Sequence, residues 1–146
     1  MTQQPSSLCV YPMRIQPGED ILNVLQNFVL TNDLKAAFIV TCVGSVKRVK
    51  LRFATNSEGK EEISDIVKNL EICSLVGTVS KDGCHIHGTF GDVKGVTVSG
   101  HVMGNIEVQT TVEIVIGNAD GYQFRREFDH RTGFKELVVG PSKPKI

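Results

Sequence analysis

Tryptophan is missing from this 146-residue chain, cysteine occurs four times with no C-x-x-C pair, and neither sign of charge prevails. Each absence narrows the field. Cys9, Cys42, Cys73 and Cys84 are too scattered for a thiolate zinc site or a disulfide framework, so each is expected to be a small buried hydrophobe. Sixteen basic residues balance sixteen acidic ones, which excludes an overall positive field of the kind that draws proteins onto phosphate backbones. The longest apolar run, Ala36 to Val43, is broken by Thr41 and falls short of the roughly 20 residues of a membrane span. Met1 to Ser7 show no basic segment followed by an apolar stretch and a cleavage site. The expected location is therefore the cytoplasm, with the nucleus as the alternative, and no membrane partner. The nucleophile elbow, the H-E-x-x-H zinc motif, the P-loop and the G-x-G-x-x-G fingerprint are all lacking.

What is present suits one domain. A chain of this length supports one hydrophobic core, and the expected organisation is a flexible N-terminus over 1–7, a domain over 8–139 and a flexible tail over 140–146. Leu8 to Ile15 reads as a strand ended by Pro17-Gly18. Ile21, Leu22, Leu25, Phe28 and Val29 follow helical spacing, with Glu19 and Asp20 at the start and Asn32-Asp33 at the end. Ala36 to Val43 and Val46 to Ala54 read as a hairpin turning at Gly44-Ser45. Further strands are expected over Leu70–Ser80, Cys84–Phe90, Val96–Met103, Glu107–Ile116 and Tyr122–Asp129, joined by short turns. The fold class is α+β, a compact domain with a largely antiparallel sheet and one main N-terminal helix.

Three of the four histidines fall within seventeen residues, in Cys84-His85-Ile86-His87-Gly88 and Gly100-His101. Residues two apart on a strand share a face, so His85 and His87 point to one side and Ile86 to the other. Thr97, Ser99 and His101 share a face on the next strand. Pairing polar with polar fixes the parity of the register, and a five-residue loop from Gly91 to Gly95 sets His85 across from His101 and His87 across from Ser99. Gly77 is expected opposite His87, leaving room for a ligand. A three-residue loop from Gly104 to Ile106 brings Gln109 opposite His101 and Glu113 opposite Thr97. Three imidazoles meeting in this way form an open site for zinc or another divalent transition metal, with one coordination position left over. Glu113, Glu107 or Glu71 could serve as a fourth ligand or support the histidines. The plainer alternative is a solvent-facing polar sheet on which His, Thr and Ser need no special task. His130 reads as an exposed turn residue.

At these residues the sequence resembles the PPC (plants and prokaryotes conserved) domain, also described as having a PD1-like DNA-binding motif. The resemblance covers about Tyr11 to Val138. It rests on Met13-Arg14 with Pro17-Gly18-Glu19-Asp20, on Leu70 to Gly77, on His85-Ile86-His87-Gly88-Thr89-Phe90-Gly91-Asp92, on Gly100-His101-Val102 and on Thr111-Val112-Glu113-Ile114. It implies a compact domain assembling as a homotrimer. In free-standing prokaryotic-type members, the histidines matching His85, His87 and His101 bind metal. Plant members lack that set and carry AT-hook segments for A·T-rich DNA; this chain has the histidines and no Arg-Gly-Arg-Pro hook.

Two functions compete. The first is a metal-binding module with a recognition or scaffolding role, DNA-associated by resemblance, for which Arg48, Lys50 and Arg52 offer a thin basic stripe on one strand face. The second is a metal-dependent enzyme acting on a small molecule, with Glu113 as the preferred general base.

Overall fold

The protein is described here from a computed structural model, which describes residues 3–142. The element order is β1 (Leu8–Ile15), α1 (Ile21–Thr31), β2 (Ala37–Arg52), β3 (Ile63–Ile66), β4 (Leu70–Ser80), β5 (Gly83–Gly91), β6 (Thr97–Ala119), β7 (Tyr122–Asp129) and β8 (Phe134–Pro141). The expected α+β class, with one helix and antiparallel strands, is what the chain forms.

A six-stranded sheet runs β1-β6-β5-β4-β2-β3, and β2 pairs a second time with β6. That pairing closes β2, β4, β5 and β6 into a barrel-like ring. Closure pairs the ring strands with one another and leaves β1 and β3 as the end strands of the sheet. Ile86, Phe90, Val102, Leu51 and Ile116 fill the interior, each no more than 4% exposed. Helix α1 begins where Asp20 accepts a hydrogen bond from Asn23 N at 3.0 Å, a cap typically worth about 1 kcal/mol. Its apolar face, Ile21, Leu25 and Val29, is buried against β4, β5 and β6. Each such side chain contributes roughly 1.5–3 kcal/mol. Gln26 ties the helix to the β4–β5 turn by donating to Ser80 O at 2.8 Å.

Two expected turns are not turns. Ala36–Val43 and Val46–Ala54 are not a hairpin; Gly44 and Ser45 lie within the single 16-residue strand β2, at a register shift against β6. Gly104 to Ile106 likewise lies inside the 23-residue strand β6, where Asn105 takes a positive φ of 49°. Bulges and turns use the same residue types, and here the extra residue bends a continuous strand around the ring. Strands β3 and β8, which the alternation pattern did not disclose, complete the molecule. The expected flexible ends lie partly outside the described residues, which leave out 1–2 and 143–146. Within them, Ser6 Oγ accepts from Gly121 N at 2.8 Å, and β8 continues through Pro141. Among the described residues no helix is long and apolar enough to cross a membrane.

Candidate metal centre

Alternation delivers the histidines as expected: Ile86, Gly88 and Phe90 face the core, and His85, His87 and Thr89 face outward. The register differs by two residues. His87, not His85, lies across from His101, and Thr89 rather than His87 lies across from Ser99. The cause is the loop, which spans Asp92 to Val96. Asp92 Oδ1 accepts from Lys94 N at 2.9 Å and from Val96 N at 3.0 Å, so the chain turns later than the glycines suggested. A slip of two preserves parity, so every side chain keeps its face. The hydroxyls of Thr89 and Ser99 meet at 2.8 Å and extend the polar pairing.

Toward β4 the register differs by one. Val76 lies across from His87 and Gly77 across from Ile86, because Ser80 pairs with Gly83 around a tight Lys81-Asp82 turn. Gly77 is not a ligand gap. A Cβ there would stand 2.0 Å from His85 O, and its φ of +152° lies where other residues rarely sit. Its role is to let β4 approach the backbone that carries His85. Gly100 acts similarly beside His101: a Cβ there would meet Arg52 O at 2.8 Å, where β2 crosses onto β6.

The three imidazoles converge. His85 Nε2 and His87 Nε2 are 3.2 Å apart, and ring centroids are separated by 5.1 Å (His85–His87), 5.1 Å (His85–His101) and 5.4 Å (His87–His101). One ring nitrogen from each lies within 4.8 Å of the others. Nitrogens bound tetrahedrally to zinc at ~2.0–2.1 Å stand about 3.3 Å apart, a spacing that the His85–His87 pair meets. Burial pushes the His101 imidazole down to about 4, helped by the Arg52 guanidinium. Burial also lowers His85, with Arg126 adding to the effect. Both are thus neutral at neutral pH, the form that donates to a metal. The Nδ1 of His101 is buried with no hydrogen-bond partner among the described residues, as a group completed by something outside the chain would be.

The expected carboxylates are elsewhere. Glu113 lies across from Arg14 and Val43, twelve residues beyond His101 on β6, which is on the order of 40 Å of strand path at ~3.3 Å per residue. Neither Gln109 nor Glu113 is set opposite His101 or Thr97, since all four lie on the one continuous strand β6. Glu107 pairs with Lys47 at 2.8 Å, and Glu71 sits across from Gly91. None of the three joins the histidine cluster.

A different set does. The β7–β8 hairpin lies beside the site, and with Arg52, Asp82, Cys84, His85 and His101 it lines an open cavity of about 270 Å³ through Arg126, Phe134, Lys135 and Glu136. Arg126 Nη2 donates to Thr78 Oγ1 at 2.7 Å, and its backbone N–H to Asp82 Oδ2 at 3.3 Å. Arg52 stacks on Phe134, its guanidinium carbon 5.2 Å from the ring centroid. Nothing in the order of residues marks these partners; they meet the site through contacts such as Arg126 to Thr78, 48 residues apart.

Cysteine follows the expectation only in part. Cys42 is buried, which pushes its thiol up to about 12, and Cys84 is half-buried with its thiol raised to about 11, also by burial. Cys9 and Cys73 are exposed. Neither raised thiol supplies a ready thiolate beside the histidines. His130 is an exposed turn residue, as expected. The basic stripe does alternate with buried Val49 and Leu51, but acids neutralise it. Arg48 Nε donates to Asp65 Oδ1 at 2.9 Å, Lys50 sits across from Asp65, and Arg52 Nε lies 3.7 Å from Glu61 Oε1.

Comparison with known proteins places this geometry. Over 137 residues the chain is 36% identical to the bifunctional protein GlmU of Synechococcus sp. (strain JA-2-3B'a(2-13)), covering 94% of this chain but 21% of that protein. It thus spans about a fifth of the curated relatives it matches. A solved structure from Salmonella cholerae-suis is 34% identical, with a TM-score of 0.88 over 96% of this chain and 99% of that one. A metal-containing protein of Archaeoglobus fulgidus is 24% identical, with a TM-score of 0.80 over 94% and 99% of the two chains, and shares the fold. The family profile of the Plants and Prokaryotes Conserved (PCC) domain matches residues 2–120, from before β1 to the end of β6, and with the barrel and its histidine face in place the chain belongs to that family.

Proposed function

We propose that this domain holds a divalent transition metal, zinc or another ion that imidazole serves, on His85, His87 and His101, and presents the remaining coordination position to a small molecule in the adjoining cavity. The observation that carries the reading is the convergence of three imidazoles, with one ring nitrogen of each within 4.8 Å of the others and the His85 and His87 Nε2 atoms 3.2 Å apart, beside a 270 Å³ cavity. A solvent-facing polar sheet gives no reason for the buried, unpartnered Nδ1 of His101. When bound, such an ion supplies a Lewis acid; the chain's residues fix its ligands and shape the space beside it. The protein of Archaeoglobus fulgidus that shares this fold is described as metal-containing, which supports a metal in such a fold without naming its ligands. Imidazole also serves nickel, copper and iron, so the donors alone leave the metal less sharply defined than the site.

The role favoured is recognition of that small molecule. Turnover has one supporting observation: Glu136 lines the cavity and acts electrostatically on His85, which makes it, rather than Glu113, the carboxylate placed to take a proton. DNA association is less well supported, because Asp65 and Glu61 occupy the basic stripe. The homotrimer implied by the resemblance has a candidate surface in exposed Leu8, Val10, Val40 and Val43, which lie on the β1–β6–β2 part of the sheet.

Metal analysis of purified protein, stripped with a chelator and reloaded with zinc, tests the reading. One equivalent per chain is expected in the native sequence and none in His85→Ala/His87→Ala/His101→Ala. Equal zinc in both proteins overturns it.

A further inference from the structure

We propose that the cavity that His85 and His101 share with the β7–β8 hairpin receives a small oxyanion, a phosphate or carboxylate group, through the guanidinium groups of Arg52 and Arg126. This rests on the metal-centre reading, since an oxygen of the same anion takes the coordination position that the histidines leave open.

Arg126 reaches the site from β7. Its Nη2 is engaged by Thr78 Oγ1 at 2.7 Å, but its Nε is buried and has no partner among the described residues. That Nε is shielded from the cavity, so an anion would meet the Nη side of the fork, whose Nη2 is held in place by Thr78. Arg52 reaches the site from β2, where it stands across from His101. Phe134 holds its guanidinium by stacking at 5.2 Å, while the Nε lies 3.7 Å from Glu61 Oε1, beyond hydrogen-bond reach. Both arginines are thus fixed in place by contacts that leave N–H groups to spare. Planar guanidinium forks match the paired oxygens of phosphate and carboxylate.

The charge balance points the same way. Arg52, Arg126 and Lys135 line the cavity against Asp82 and Glu136, and Glu61 pairs with Arg52, so the side chains balance and a bound dication would add two positive charges. Both guanidinium groups lie within electrostatic reach of His101 and His85, so a dication on those rings meets two cations at close range. An anion between them relieves that repulsion. The volume, about 270 Å³, is of a size for a small acid.

The competing account is that Arg126 only ties the hairpin to β4 and Arg52 only packs on Phe134. Cobalt(II) separates the two, because its visible absorption responds to an anion entering its coordination sphere. The chain is loaded with cobalt, its metal content is measured, and it is titrated with inorganic phosphate in one arm and acetate in the other. The expected result is a saturable spectral change, with the stronger arm identifying phosphate or carboxylate. Arg52→Gln and Arg126→Gln should keep one cobalt per chain yet bind the anion about tenfold or more weakly. Arg126→Lys, which keeps a donor for Thr78, should fall between. No spectral response in a chain that holds cobalt, or glutamine variants that respond like the native chain, overturns the anion receptor and leaves the metal centre standing. A chain that takes up no cobalt overturns both.

Discussion

Strands β5 and β6 and the β7–β8 hairpin border the same cavity, but they contribute to it in opposite ways. The barrel wall offers three imidazoles from backbone locked in a closed ring, with Ile86 and Phe90 buried at 1% and 0% exposure behind them. The hairpin is a separate two-stranded sheet, and it brings charge: Arg126, Lys135 and Glu136, with Phe134 under Arg52. The family match covers the wall and stops at residue 120, before the hairpin begins at Tyr122. Ligand donors therefore sit where geometry is over-determined by the core, and groups able to recognise a ligand sit on an element held by a handful of polar contacts. This division suits a site that keeps its ion and exchanges its ligand.

The sharpest way to break the wall is at its backbone. Gly77→Ala sets a Cβ against His85 O and should cost about 3 to 4 kcal/mol of stability by denaturant unfolding. It should also loosen the metal, since His85 rides on that backbone. Next in size, His101→Ala should lower zinc affinity on the order of a hundredfold or more, read by competition with a chromophoric chelator, while the fold persists. If that variant held zinc as tightly as the native chain, the wall would not be the donor side.

Acidity sharpens the comparison further. In the folded state His101 titrates near 4 rather than 6.5, and His85 is also lowered, so the unfolded chain binds more protons between those values. The metal-free protein should therefore lose stability as the pH falls from about 6.5 toward 4. His101→Gln should reduce the slope of that loss; an unchanged slope would place the pH sensitivity in other groups. Smaller still, Phe134→Ala removes the ring beneath Arg52 and should cost about 0.5–1 kcal/mol, seen in the melting temperature, with zinc stoichiometry unchanged. Smallest of all, Glu113→Gln should leave zinc binding as it is, because Glu113 faces Arg14 and Val43.

How far the site was legible follows the same boundary. Period-two alternation over Cys84 to Phe90 and Thr97 to His101 states which side chains share a face, and that alone brings the three histidines together. The pairing partner was not legible, because Asp92 starts the turn through its own side chain and shifts the register by two. Gly44 and Gly104 read as turns because a bulge in a long strand asks for the same residues; only the closure of β2 onto β6 decides between the two. The hairpin's share was illegible for a different reason. Arg126, Phe134 and Glu136 carry no local pattern that points to β2, β4 or β5, and their partners lie tens of residues away. Helix α1 was the easiest element, since spacing, the Asp20 cap and the Asn32 end all agree.

X-ray absorption at the zinc edge tests the central claim most directly. The account predicts a four-coordinate ion with three imidazole nitrogens at ~2.0–2.1 Å and one further light atom. Sulfur scattering at ~2.3 Å, or a shell without imidazole, would contradict it.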